Sequence, residues 1–596
     1  MRVRPVLALA LLTSGGLAAA AAGARLYPAA HSDAAALAML DPSRLAAAAC
    51  AERARGHEPV LLQRLRQAAA LTGPVVPGHF PLYGGVPRSA LEPGGLTAAA
   101  RPWFDQGLLM AYNFNHAAAV ASFRKAQALA PGCALCFWGE ALVQGPNINA
   151  PMEAKALAPT LSALAKAQAL AGNAPPLDRA LIGALAARYS ADPKADRAAM
   201  DAAYADAMLG LAATTPGNDE LAVLAAEAAM DTSPWNYWDA ASGAPRPRID
   251  KAVALIEGVL ARHPGHQQAA HLYIHLMEMI GPARAEKAAD ALALDAMPEA
   301  GHLVHMPAHI YYRVGRFKDS IKANVIAAKA DEAYLAKVPD DGMYRYGYYP
   351  HNVHFIVTSA QQAGDLGLAV EQARKLMRII PEDKAVELGW IQAVVAAPSF
   401  AFAQGGTSAQ ILGLQRPTAR LPYVLAMWHY ARGVAYARLK QAKALDAELA
   451  AMDRLTADPG IKVLEGTGTP GTNLIHLAQH VMRGRLAYAR GDFAGAAEQY
   501  RKAQAIEATI PYQEPPYWYY PVGQSLGAAL LAGGKPAEAR DAFRQALVVA
   551  PGNGWALWGL ARSERALGHD LEARAAEAAL DRAWLGDRRL LTLDRL

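Results

Sequence analysis

Small and apolar residues recur along most of this chain three and four positions apart, the spacing of helices that bury one face. From about residue 100 a longer period overlies the short one. Trp103, Gly107, Ala119, Phe123, Ala126 and Pro131 fall at positions 4, 8, 20, 24, 27 and 32 of a 34-residue unit. Small residues at 8, 20 and 27 let two helices of a unit approach closely, and larger ones at 4 and 24 fill the seam. A proline at 32 ends the second helix. The frame returns as Gly484, Ala496, Tyr500 and Ala503, and again as Gly527, Ala539, Phe543, Ala546 and Pro551. Weaker copies pair Ala252 with Pro264, Ala369 with Pro381, and Gly433 with Tyr436. The pattern predicts an all-α chain of repeated helix pairs.

This W…G…A…F…A…P spacing resembles the tetratricopeptide-repeat family over most of residues 100–585. The resemblance implies a right-handed α-solenoid whose concave groove receives a protein or peptide partner. It also implies that positions 2, 5, 9 and 12 of each first helix face that groove. A narrower resemblance rests on Trp235-Asn-Tyr-Trp238, His271-Leu-Tyr-Ile-His275, Gly301-His-Leu-Val-His-Met-Pro-Ala-His309 and Pro515-Pro-Tyr-Trp-Tyr-Tyr-Pro521. Together these are similar to a group of exported bacterial tetratricopeptide-repeat proteins, a likeness that brings no reaction with it.

Four stretches depart from the repeat. Residues 140–215 predict long alanine-rich helices without the motif. Residues 231–248, 328–350 and 511–521 predict aromatic loops too long for plain helix connections. Such loops either cap exposed repeat edges or fold over the groove and wall a pocket. The resulting partition is a signal peptide at 1–24, a helical segment with a Pro/Gly linker at 25–99, a first helical array at 100–265, histidine-rich units at 266–380 and a C-terminal array at 381–596.

The histidines give the candidate chemistry. His271 and His305 are 34 residues apart, as are His275 and His309. In the repeat frame His271 and His275 stand at positions 5 and 9, with Glu278 at 12. His302, His305 and His309 stand at 2, 5 and 9 of the next unit. His351 and His354 stand at 2 and 5 of the one after. Positions 2, 5, 9 and 12 share one helical face. Imidazoles on adjacent helices, packed about 8–10 Å apart, reach a common ion at roughly 2.0–2.1 Å. Neutral imidazole suits zinc, copper, nickel or iron, and Glu278 offers an oxygen. Zinc and copper lead, with Met277 and Met306 as a hint of copper. Alternatives remain: groove histidines that bind a peptide, pack on Tyr273, Tyr311 or Tyr312, or titrate to bind an anion. His429, His480 and His116 read as structural, and His476 as a groove-rim residue. Asn324 occupies a position where a large apolar residue is usual.

Composition adds boundaries. The 596 residues are 53% hydrophobic and 19% charged, with a net charge of +5. No Lys/Arg run marks a nucleic-acid surface. Arg2, Arg4, the apolar run Val6–Leu12 and Ala22-Gly23-Ala24 predict a cleaved signal, hence a periplasmic or secreted protein with no membrane span afterwards. An uncleaved anchor is the alternative. The three cysteines are Cys50, Cys133 and Cys136, and Cys133-Ala-Leu-Cys136 is expected to be buried structural sulfur, disulfide-bonded in an oxidising compartment, with thiol–disulfide chemistry as the minor alternative. No nucleophile elbow, phosphate loop, dinucleotide fingerprint or HExxH motif occurs. Two functions therefore compete: a binding scaffold with an open histidine-rich groove, and a metal-dependent enzyme whose loops close that groove into a pocket.

Overall fold

The protein is seen here as a computed structural model describing residues 80–596, except 193, 240–241, 296, 298, 339–340 and 512, and residues 38–41, 45, 64, 67–68 and 70–71. The signal peptide expected at 1–24 and most of the segment 25–75 lie outside the described residues. Among the described residues the chain is helical and has no β-strand, only isolated bridges at Asn147–Ala150 and Trp238–Pro245. No helix among them is long and apolar enough to cross a membrane.

The helices used below are α1 Arg101–Tyr112, α2 His116–Leu129, α3 Arg197–Thr214, α4 Asp219–Met230, α5 Ile249–Arg262, α6 Gln267–Met277, α7 Gly301–His305, α8 Pro307–Arg313, α9 Phe317–Leu335, α10 Tyr349–Ala363, α11 Val522–Ala532, α12 Pro536–Val549 and α13 Gly554–Ala566. Each packs mainly on its chain neighbours, as in an α-solenoid. Short polar side chains set the starts. Asn115 accepts from the Ala118 N–H at the head of α2, and Asn218 does the same for Leu221 at the head of α4.

The repeat positions have the packing their spacing predicts. The Phe123 ring lies against Gly107, where a Cβ would come within 2.8 Å of it, and against Gly139 in the following helix. Phe543 repeats the arrangement, with Gly527 of α11 at 2.8 Å and Gly559 of α13 at 2.2 Å. One aromatic ring is thus wedged between glycines of two successive first helices, and only a missing side chain leaves room for it. These are tetratricopeptide-like helix pairs.

The solenoid winds back on itself. A Cβ on Gly315 would lie 2.0 Å from the Pro551 carbonyl oxygen. Trp555 Nε1 donates to the Gln361 carbonyl at 2.8 Å, and Leu585 N to the Ala363 carbonyl at 2.8 Å. C-terminal repeats therefore pack against α10, and the concave side is enclosed by the chain itself.

Two local expectations need correction. The histidine segment 301–313 is not one helix. Pro307 lacks the N–H that a continuous helix needs, so α7 ends at His305 and α8 begins at Pro307. The stretch 328–350 is not a plain loop either. Helix α9 runs to Leu335, and Met343–Tyr348 forms a π-helical turn leading straight into α10. Residues 140–215 hold the expected long helices, including α3. Residues 80–99 carry no helix and pack on α1, with Leu91 buried and the Tyr83 N–H donating to Gln106 Oε1 at 2.7 Å.

The wedge makes a stability prediction. Gly527→Ala should destabilise by about 1–3 kcal/mol, because the new methyl drives into Phe543. Gly210→Ala, at an exposed position of α3 with nothing within 4 Å, should stabilise by about 0.5–1 kcal/mol. Urea midpoints of the two variants and wild type check both signs, and a neutral Gly527→Ala would remove the wedge as the repeat's packing rule.

Candidate metal centre

Six histidines from four short stretches meet on the enclosed concave side, in two groups of three. The first is His271, His275 and His302. His271 Nε2 lies 3.1 Å from His275 Nε2 and 3.2 Å from His302 Nε2. The second is His305, His309 and His351, with Nε2 of His305 and His309 2.9 Å apart. Ring centroids of 6.2 Å for His275–His309 and 6.3 Å for His302–His305 join the groups into one cluster. The grouping obeys the repeat. Positions 5 and 9 of one unit combine with position 2 of the next, twice over. The series stops there because the third unit has Thr358 at position 9, where it bonds back to the His354 carbonyl.

Several nitrogens are already assigned by their partners. Gln268 Nε2 donates to Glu227 Oε2 at 3.0 Å, so its oxygen is the atom facing His271 Nδ1, also at 3.0 Å. Asn324 Nδ2 donates to the Ser320 carbonyl at 2.8 Å, so its oxygen accepts from His305 Nδ1–H at 2.6 Å. His309 Nδ1 donates to Glu514 Oε2 at 2.8 Å, with Glu278 Oε2 3.0 Å away. In all three rings the proton is held on Nδ1, and Nε2 is aimed into the cluster.

Apolar rings seal the groups. Phe114 stands behind the first, with centroids 4.8 Å from His271 and 5.3 Å from His302. Phe355 stands behind the second, 5.1, 5.2 and 4.9 Å from His305, His309 and His351. Trp235 meets His275 edge-on at 4.9 Å, its Nε1–H donating to Asn149 Oδ1. Phe114 and Trp235 hold left-handed backbone angles, φ 50° and 61°. Strain of that kind is kept only where the surroundings impose it.

Burial governs the charges. His271, at 0% exposure, and His275, His302, His305 and His351 are held well below the usual imidazole range by loss of water, reinforced by their neighbours. They are neutral at pH 7, the form that binds metals. His309 is the exception. Burial disfavours its charge too, but Glu278 and Glu514 outweigh it and push the ring up to about 10. Two buried ring nitrogens in the site, His275 Nδ1 and His302 Nδ1, have no hydrogen-bond partner among the described residues.

A cavity of about 370 Å³ opens over the cluster, lined by His275, His302, His309, His351, His354, Glu278 and Glu514. All three aromatic segments contribute to its wall, through Trp235, through Tyr346 and Tyr348, and through Pro511, Pro515 and Tyr517. The loops are pocket walls here and not only repeat caps.

Of the eight residues marked in the sequence, seven enter the groups. Glu278 does so beside His309 and Glu514, not beside the first trio. His354 does not join; its Nε2 is hydrogen-bonded to the Tyr519 hydroxyl, and burial pushes it down to about 3. Met277 and Met306 are core residues away from the cavity lining. Cys133 and Cys136 are buried and disulfide-bonded. His429 and His480 pair with Glu448 and Gln499 on neighbouring helices, and His476 is exposed. Glu514, Gln268, Phe114 and Phe355 were not marked. Glu514 had a signal, the one charged residue of the segment 511–521, and Asn324 had one in its misfit with the repeat.

Fold and site together define a tetratricopeptide-like α-solenoid enclosing a buried histidine cluster. No protein-family model and no curated protein matches the chain. Solved structures with some similarity include the human IFIT1 dimer with PPP-AAAA (12% identity, 80% of this chain and 93% of that chain, TM-score 0.28). The Cut9–Hcn1 hetero-tetramer of APC/C (14%, 82% and 97%, 0.23) and Naa15/Naa10 bound to HypK-THB (11%, 83% and 75%, 0.21) are others. At these scores the fold stands on the chain's own helices.

Beneath α7, Asp331 of α9 fills the place of the missing Gly301 side chain, where a Cβ would meet its Oδ1 at 2.2 Å. Asn352 Nδ2 donates to its Oδ2 at 2.7 Å, and burial pushes the carboxyl up to about 8. A folded value above the ordinary 3.8 means that the proton favours the fold. Its contribution is full below about pH 4 and is lost as pH rises through about 8. Asp331→Asn should therefore gain on wild type as pH rises from 5 to 8, by at most about 1.4 kcal/mol per unit. Urea midpoints at pH 5, 6.5 and 8 read this, and a constant difference would mean an ordinary carboxyl.

Proposed function

We propose that this protein is an exported metal-binding α-solenoid that holds a transition ion on its histidine cluster, at the base of a cavity for a small ligand. The carrying observation is the convergence of His271, His275 and His302. Ligands at 2.0–2.1 Å in a tetrahedral shell stand about 3.3 Å apart, and the nitrogens lie 3.1 and 3.2 Å from one another through His271. The donor chemistry supports the same reading. Neutral imidazoles favour zinc, copper or nickel over magnesium or calcium. The Gln268 and Asn324 oxygens act as the outer partners that fix ring tautomers in metal sites. His275 Nδ1 and His302 Nδ1 lack partners, so no hydrogen-bond network accounts for these rings.

The partner in this reading is a small molecule at the cluster. A peptide laid along the histidine face would have to displace the 511–521 segment, which Glu514 ties to His309 and Tyr519 ties to His354. Export to the periplasm or beyond rests on the N-terminal signal pattern.

Elemental analysis of the mature protein tests this. At least one zinc, copper, nickel or iron per chain is expected, lost in a folded variant that carries His271→Ala, His302→Ala, His305→Ala and His309→Ala together. Asn324→Leu, which restores the apolar residue usual at that repeat position, should keep the fold and weaken metal binding at the His305 trio about 10–100-fold. No metal in wild type after reconstitution with all four ions would overturn the proposal.

A further inference from the structure

We infer that the cluster holds two ions, one per trio, whose free coordination positions together take one small oxygen-donor ligand in the cavity. This deepens the metal-binding reading above and rests on it.

The argument starts from the repeat. One 34-residue step carries His271 onto His305 and His275 onto His309. His302 and His351 then supply the third ring of each group from the following unit. A complete three-nitrogen set is thus built twice by the same rule, and no ring is shared. Each set has its own apolar backing, Phe114 or Phe355, and its own amide oxygen on one Nδ1, Gln268 on His271 and Asn324 on His305. A single ion would need neither the second backing ring nor the second amide. The glutamates beside His309 are 2.8 and 3.0 Å from its Nδ1. They orient the ring from behind and leave Nε2 to the second ion.

Three imidazoles leave at least one position open in a four-coordinate shell. His275 and His302 of the first trio and His309 and His351 of the second line the cavity, so that is where the open positions face. The remaining wall is largely aromatic and apolar, with Trp235, Tyr346, Trp390, Tyr517, Pro350 and Pro515. An oxygen donor on a compact apolar body fits this combination. Two adjacent ions sharing such a ligand form a clamp on its oxygen.

The test is a Co(II) titration of metal-free wild type, read by visible absorption and by bound cobalt after desalting. A break at two equivalents is expected, and azide, a small bridging probe, should bind more tightly after the second equivalent than after the first. The His271→Ala, His302→Ala and His305→Ala, His309→Ala variants should each bind one equivalent. A break at one equivalent in wild type overturns the two-ion inference and leaves single-ion binding standing. Two equivalents with azide bound no more tightly after the second overturns the shared open position. No cobalt bound overturns both readings. The wild-type break decides the count even where a variant fails to fold.

Discussion

A buried imidazole must have both ring nitrogens accounted for, and six of them in contact cannot satisfy one another. Each neutral ring brings one donor and one acceptor. In His271 and His305 the donor is spent outward on an amide oxygen, and in His309 on a carboxylate. What points inward is an excess of lone pairs at 2.9 to 3.2 Å. Lone pairs so close repel unless a proton or a cation lies between them. Between His305 and His309 the proton raised on His309 serves that purpose in the absence of metal. In the first trio every ring is held neutral by burial, and the protons available between the nitrogens are the single ring protons of His275 and His302, whose tautomers no Nδ1 partner fixes. The rest of the site, from the Phe114 wall to the Glu514 arm, follows from the need to keep these nitrogens together and dry.

The solenoid suits that need. Helix pairs stacked by a wedge of one aromatic ring between two glycines stand in fixed register, so side chains at a given repeat position form a straight row. Placing histidine at positions 2, 5 and 9 of successive units converts that row into a cluster without any special backbone. The cost of burying polar rings is spread over a scaffold whose stability comes from elsewhere, from repeats such as Gly527–Phe543 that contain no site residue.

Much of this was legible in the chain. The 34-residue spacing of His271 with His305 and His275 with His309 carries the common face, and the W…G…A…F…A…P frame carries the fold. What spacing conveys is local to a repeat and its neighbour. It therefore could not place Phe114, which arrives from a unit more than 150 residues earlier and packs on His271 only once the solenoid has turned. Nor could it place Glu514, 205 residues beyond His309. It also treated His302, His305 and His354 by their repeat positions alone. The groups form across units, so His302 joins His271 and not His351, and His354 is left to the Tyr519 hydroxyl. Asn324 was a visible departure whose meaning was hidden, and Pro307 stood unremarked inside the histidine motif. The first fixes the tautomer of His305, and the second divides the helix between His305 and His309.

Enclosure separates this molecule from an open repeat scaffold. A solenoid groove is shaped for long partners because it is open along its length. Here three inserted segments and the returning C-terminal repeats cover the histidine face, over which a cavity of about 370 Å³ opens. The cover is tied to the histidines themselves, through Glu514 on His309, Tyr519 on His354 and Tyr348 against His302. Whatever occupies the cluster is therefore coupled to the lid. An ion that takes Nε2 of His309 displaces the proton there, shifts the charge balance with Glu278 and Glu514, and so acts on the segment that closes the cavity. The charges of His309, Glu278 and Glu514 thus belong both to the histidine cluster and to the cavity wall.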